Sequence, residues 1–369
     1  MSLRFLHTGD LHLGSVLAAF SSRMAAKWRE GQLAALESLF SRARAAGVQM
    51  ILLAGDCFDT QEPDPALVRR FFALLGEQEV PVVITPGNHD PYRQGGFYDA
   101  VTLPPNVHLF RTGELAYFDF PLLRATVFGY AFTAETMAAP ALPVASELPV
   151  DRIPILLAHG DTQSALSPYA PLSGGALKAS GFAYAALGHI HKPVPQKYYG
   201  ETLAAYCGFF AGRGFDEIGV GHANLVEIDG KSVHVTPVES TAARFEILSL
   251  DCTGALTGED VRLGVERLLA EAAPEEGTAL RVRLMGQVGA ECHIEEGALE
   301  RLGEGLALFE IRDETVPLFD ADYLLKDPGM RGAFYRAMLP RLDSESERER
   351  AVAREALRLG FAALSGKEG

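Results

Sequence analysis

Several things missing from this 369-residue sequence narrow its possible roles. No apolar run approaches the roughly 18 residues that a membrane-crossing helix requires. The opening Met1-Ser2-Leu3-Arg4-Phe5 shows no basic region leading into a long apolar stretch and a small-residue cleavage site. A cytoplasmic, non-membrane protein is therefore expected. Cysteine is scarce: Cys57, Cys207, Cys252 and Cys292 are scattered, with no Cys-x-x-Cys pair. That argues against a disulfide framework or a zinc ribbon and for reduced core thiols. Internal repeats and low-complexity stretches are absent. So is a basic run. The net charge is −15, with 17 Lys+Arg against 23 Asp+Glu through Ala242 and 16 against 25 beyond it. Nucleic-acid enzymes usually carry a basic footprint. Composition therefore counts against DNA for the isolated chain, unless basic residues gather on one face or a partner supplies them.

Hydrophobic residues make up 48% of the chain and aromatics 9%, enough for packed cores rather than disorder. The length exceeds what one core usually organises, so more than one domain is expected. The first half alternates short apolar strands with helical stretches, which is an α/β pattern. Strands are expected at Leu3–His7, Met50–Ala54, Val80–Thr85, Ile153–Ala158 and Tyr184–Leu187. Helical periodicity runs from Met24 to Ala46 and stops at Gly47, and Asp64-Pro65 reads as an N-cap followed by proline at the first helical position. Residues 134–150 read as an Ala/Pro-rich loop. Beyond Arg244 a strand (245–250), an amphipathic helix (259–272) and another strand (280–285) suggest a small α+β unit, followed by a charge-dense and then helical stretch from Asp343. The expected division is a site-bearing domain over 1–242, an α+β cap over 243–320 and a C-terminal helical segment over 321–369.

Each strand of the first half delivers a polar cluster at its C-terminal end, where open α/β sheets place their ligand sites. The clusters are Gly9-Asp10-Leu11-His12, Gly55-Asp56-Cys57-Phe58-Asp59, Gly87-Asn88-His89-Asp90, His159-Gly160-Asp161 and Gly188-His189-Ile190-His191. A lone strand-end histidine is more often a hydrogen-bonded core residue than a ligand. Five such clusters in series are hard to attribute to chance. Asp, Asn and imidazole suit Mn, Fe or Zn, and neighbouring glycines let the backbone approach an ion. Asp10, His12, Asp56 and His191 would hold one ion, and Asp56, Asn88, His159 and His189 a second. Asp56 would bridge two cations about 3.5–4 Å apart, a pairing that makes water nucleophilic near neutral pH and suits in-line attack at phosphorus. His89 should lie above the ions without binding them, stabilising charge at phosphorus or protonating the leaving oxygen. Asp59 or Asp90 could orient its ring; equally, each could cap its own loop.

At these residues the sequence resembles the calcineurin-like metallophosphoesterase superfamily, whose five motifs match the five clusters in order. Within it the chain is most similar to the SbcD-type nuclease subunits and their break-repair relatives. The likeness is carried by Leu6 to Gly14, Gly55 to Asp59, Pro86 to Asp90 and Tyr169 to Lys192, and loosely by Gly208 to Glu217. The resemblance implies a four-layer α/β/β/α sandwich with a smaller C-terminal α+β cap. It further implies two divalent ions (Mn foremost, with Fe, Zn or Mg as substitutes), exonuclease and endonuclease action on DNA, a homodimer, and C-terminal helices that bind an SMC-like ATPase. The competing expectations are a phosphodiesterase or phosphatase for nucleotides or other small phosphoesters, and an inactive scaffold subunit. A protein phosphatase is disfavoured because Thr60-Gln61 follows Asp59 where that branch carries Arg-Gly.

Overall fold

The computed structural model describes residues 2–289, 292–318 and 321–364; the expected C-terminal segment thus ends, over 365–369, outside the described residues. The chain divides into two compact units, Met1–Glu246 and Ile247–Gly369.

Two six-stranded sheets build the first unit. In one, β1 (Leu3–Thr8), β2 (Met50–Leu53), β3 (Val82–Ile84) and β4 (Val107–Leu109) run parallel, extended beside β1 by antiparallel β11 (His222–Asp229) and β12 (Ser232–Glu239). In the other, β6 (Ala125–Gly129), β7 (Ile153–His159), β8 (Tyr184–Gly188) and β10 (Thr202–Tyr206) are parallel, with antiparallel β5 (Ala116–Phe120) and β9 (Lys197–Tyr199) at the edges.

Strand alternation sorts the core into three slabs. Phe5, Leu52 and Val83 of the first sheet meet Val127, Ile155, Leu157 and Ala186 of the second. Leu6, Ile51, Leu53 and Ile84 point the other way, onto α1 (Ser22–Ala45) and α2 (Pro65–Gly76) through Leu36, Leu39, Phe40, Phe71 and Leu75. Leu156, Ala158, Ala185 and Leu187 face the opposite side, against Phe182 and Leu177 of α4 (Gly174–Ser180). The result is the four-layer α/β/β/α sandwich. Strands β2, β3 and β8 read as continuous apolar runs because both their faces are covered. Ser21 and Asp64 cap α1 and α2 by accepting from Met24 N and Ala66 N.

The first unit runs to Glu246, and near its end Phe245 packs against Trp28, Phe20 and Phe215. In the second unit β13 (Phe245–Asp251), β14 (Ala279–Met285) and β16 (Leu308–Asp313) form a sheet, covered by α5 (Gly258–Ala272) through Val261 and Val265. A short α6 (Glu296–Glu300) and a two-stranded pair, β15 (Gln287–Val288) with β17 (Val316–Pro317), complete it. Helices α7 (Ala321–Lys326), α8 (Met330–Leu342) and α9 (Glu347–Leu364) belong to the same unit, with Leu324, Phe334, Leu357 and Phe361 clustered between them. All four cysteines are reduced and buried. No helix among the described residues is long and apolar enough to cross a membrane.

Candidate metal centre

The parallel strands β1, β2 and β3 of one sheet and β7 and β8 of the other end along one rim of the sandwich, and the five polar clusters meet there. The backbone carrying them is bent. Asp10, His12, Asp56 and His189 have φ of 47, 45, 48 and 103°, although none is glycine. Left-handed backbone costs an L-residue about 1–2 kcal/mol. It persists where surrounding contacts over-determine it, which is commonest at functional sites. Those contacts are visible here. Asp10 N donates to Gly55 O and His12 N to Asp56 O, both at 2.9 Å, lacing the β1 loop to the β2 loop. His189 N donates to both oxygens of Asp10 at 3.0 Å, and His89 N to Asp56 Oδ1 at 2.9 Å. At Gly87 a Cβ would fall 2.1 Å from Asp56 Oδ1, so only glycine lets the third loop come this close.

Hydrogen bonds from Nδ1 fix which nitrogen three of the histidines offer. His12 Nδ1 donates to Asp59 Oδ1 at 2.8 Å and His191 Nδ1 to Glu217 Oε1 at 2.6 Å. His159 Nδ1 donates to the Ala54 carbonyl at 2.9 Å. Each committed Nδ1 proton leaves a lone pair on Nε2. Those lone pairs face other acceptors. The Nε2 atoms of His12 and His191 stand 3.1 Å apart. His12 Nε2 lies 3.6 Å from Asp56 Oδ2 and His191 Nε2 3.6 Å from Asp10 Oδ1. On the other side His159 Nε2 is 2.9 Å from Asn88 Oδ1 and 3.5 Å from Asp56 Oδ2, while His189 Nδ1 is 3.1 Å from Asn88 Oδ1.

Neutral imidazoles and carboxylates held this close with neither a proton nor a cation between them repel one another. In the ion-free chain His191 takes up a proton, its pKa raised to about 10 because Asp10 and Glu217 outweigh its burial. Around a cation the same arrangement attracts, since ligands about 2.1 Å from an ion stand roughly 3.0–3.5 Å from each other. Asp56 Oδ2 lies almost equally far from the two groups, as a bridging oxygen should. Asp10–His12–His191, His12–Asp56–His89 and Asp10–Asp56–His159 each gather within the reach of one ion. The donor set, carboxylate, amide oxygen and imidazole, fits divalent first-row metals.

The electrostatics of the other groups fit a cation in that proton's place. Burial, reinforced by the charge of Asp10, pushes the Asp56 carboxyl up to about 7. Asp10 is held below the carboxylate range because its imidazole neighbours, His191 first, outweigh its own burial. Two carboxylates in one buried site cannot both stay charged without a cation between them. Burial lowers His12 and His189 to about 4, leaving both rings neutral and able to ligate.

His89 stands over this centre. Its ring meets that of His12 edge-on at 4.8 Å, and its Nδ1 lies 3.4 Å from Asp59 Oδ1. Its side chain is 42% exposed. Beside it and Asn88 opens a cavity of about 560 Å³, lined also by Asp59, Glu62, Glu135 and Tyr169. Of the two aspartates that could orient His89, Asp59 has the position. Asp90 does not. Its oxygens accept from Gly87 N, Cys57 N, Phe58 N and the Tyr98 hydroxyl on the short helix α3 (Phe97–Ala100), so it ties the second and third loops together instead. Sequence reading missed Arg213 and Glu217. The Gly208–Glu217 stretch stands out in the sequence only by its similarity, and nothing in its spacing says that it reaches two histidines.

The profile of the family described as calcineurin-like phosphoesterase matches residues 3–193, which carry all five clusters. The chain belongs to that family. It is a metal-dependent phosphoester hydrolase, with Asp/His groups able to hold divalent ions. Among individual proteins it is similar to the uncharacterized metallophosphoesterase YhaO of Bacillus subtilis (26% identity over 74% of this chain and 73% of that one). It is also similar to the SbcD component of the nuclease SbcCD from the same organism, at 28% identity over 61% of this chain and 66% of that component. A third relative is the DNA double-strand break repair protein Mre11 of Methanopyrus kandleri, 24% identical over 96% of this chain and 82% of that protein.

Proposed function

We propose that this phosphoesterase is a two-metal phosphodiesterase acting on DNA, an SbcD-like exonuclease and endonuclease subunit that uses manganese. The observation that carries the two-metal part is the meeting of imidazole nitrogens and carboxylate oxygens about a shared Asp56. In this reading Asp10, His12, Asp56 and His191 hold one ion, and Asp56, Asn88, His159 and His189 the other. Bound ions would activate water and neutralise charge at phosphorus. His89 Nδ1 lies 3.4 Å from Asp59 Oδ1, so a doubly protonated ring would direct Nδ1–H to Asp59 and donate from Nε2 to a phosphoryl or leaving oxygen. Asp59, held down to about 2 because His12 and Arg213 outweigh its burial, stays charged and can stabilise an imidazolium there. The DNA part is supported by the nuclease and break-repair relatives. A cytoplasmic setting, homodimerisation and an SMC-like ATPase partner belong to the same proposal, as does an α+β cap over 243–320 with a partner-binding segment after it.

One observation favours a second reading, a phosphodiesterase for nucleotides or other small phosphoesters. The described residues lining the cavity beside His89 include Asp59, Glu62 and Glu135 but no Lys or Arg. Such a wall repels a polyanion more than it repels a small ester. Manganese-dependent degradation of linear duplex DNA, set beside hydrolysis of bis-p-nitrophenyl phosphate and cyclic nucleotides, decides between them. Degradation of DNA ends supports the nuclease; activity confined to the small esters establishes the alternative.

A further inference from the structure

The turn after β10 carries two side chains that are not ligands in the proposed centre, Arg213 and Glu217. The Glu217 side chain is only 5% exposed, and a buried carboxylate requires compensating partners. Arg213 donates to it from its backbone N at 2.9 Å and from Nε and Nη2 at 3.1 and 2.6 Å, and His191 Nδ1 donates at 2.6 Å. The same guanidinium donates through Nη1 to Asp59 Oδ1 at 2.8 Å, the oxygen that also receives His12 Nδ1. One turn thus braces both imidazoles whose Nε2 atoms meet. The turn is itself anchored, by Trp28 Nε1 donating to Gly212 O at 3.1 Å and Glu217 N to Gly214 O at 3.0 Å.

Two neighbours compete for one atom. Arg213 Nη2 stands 3.2 Å from His191 Nδ1, and a guanidinium can only donate. Were that donation to prevail, Nδ1 would accept, the ring proton would sit on Nε2, and a protonated nitrogen cannot ligate a cation. Glu217 Oε1 is nearer, charged and able only to accept. It keeps the proton on Nδ1.

We propose that Glu217 is a positioning residue that sets the tautomer of His191 against Arg213, and thereby creates the cation site on the Asp10–His12–His191 side. The other side is oriented independently, since His159 Nδ1 donates to the Ala54 carbonyl. The inference rests on the two-metal reading.

Titrating Mn(II) into the full chain by calorimetry, with electron paramagnetic resonance alongside, tests both. A wild type binding fewer than two ions overturns both readings at once. With two ions bound in wild type, the variants decide this one alone. In Glu217→Ala one of the two affinities should fall roughly 10–100-fold while the other changes little. The spectrum should turn from that of a coupled pair to the six-line signal of isolated Mn(II). Adding Arg213→Ala to Glu217→Ala should restore part of the lost affinity, because no donor then pins the wrong tautomer; lost packing alone would only worsen. Glu217→Gln keeps an oxygen for Nδ1–H at nearly the same volume and should lose less. It also provides the measurement should the alanine variant fail to fold. Unchanged affinities, equal weakening of both ions, or a double variant no tighter than the single one overturns the proposal.

Discussion

Replacing Gly87 by alanine tests whether the close approach of the third loop to Asp56 defines the centre. The added Cβ would lie 2.1 Å from Asp56 Oδ1, 2.6 Å from its backbone N and 2.8 Å from its Cγ. Favourable carbon contacts fall at about 3.5–4.0 Å, so something must retreat by about an ångström or more. The Asp56 backbone is a poor candidate, being held at φ 48° with its carbonyl bound by His12 N. Either the Asp56 carboxylate swings or the loop bearing Asn88 lifts. Both movements spoil the position of Oδ2, now 3.6 Å from His12 Nε2 and 3.5 Å from His159 Nε2. Overpacking of this kind costs about 1–3 kcal/mol, and a misplacement of about 1 Å near the chemistry costs about 100-fold in rate. Gly87→Ala is therefore expected to melt lower, bind both Mn(II) ions more weakly and hydrolyse bis-p-nitrophenyl phosphate roughly 100-fold more slowly. Gly95 offers the control, since it has φ +76° but nothing within 4 Å of a Cβ; Gly95→Ala should strain the backbone and leave ion binding alone. Wild-type ion affinities and turnover in Gly87→Ala would refute the reasoning.

His89→Ala should abolish turnover with both ions still bound, as read by metal analysis; loss of metal would make it a ligand. Asp56→Asn should lower occupancy of both ions together, and a change at only one would remove it from the bridging position. Asp90→Ala strands the amides of Gly87, Cys57 and Phe58, and at about 1–3 kcal/mol for an unsatisfied buried group should lower the melting temperature markedly; an unchanged melt would contradict its tying role. His7, buried between the Tyr184 hydroxyl and the Leu187 carbonyl, is lowered by burial to about 4. The unfolded ring takes up a proton near 6.5, so the stability that His7 contributes is complete above that pH and drains away as pH falls towards 4. Urea unfolding of the metal-free protein should accordingly lose about 1.4 kcal/mol per pH unit more than His7→Gln between about pH 6 and 5; parallel slopes would show that His7 does not titrate this way.

By itself the sequence determined the five strands that carry the clusters, the motifs at their ends and the family. Those signals are local: apolar runs set the strands, and a ligand's chemistry is written in its residue type. Parallel strands then force their C-terminal ends to one rim, so Asp10, His12, Asp56, Asn88, His159, His189 and His191 could be gathered without coordinates. Tertiary structure alone decided where the two aspartates point. Asp59 and Asp90 each close one of the five clusters, but Asp90 faces inward to four donors while Asp59 faces His12, His89 and Arg213. It also brought Glu217, 26 residues beyond His191 in sequence, within 2.6 Å of it in space. Which proton sits on which nitrogen depends on the nearest acceptor in three dimensions, and that distance is a property of the folded chain.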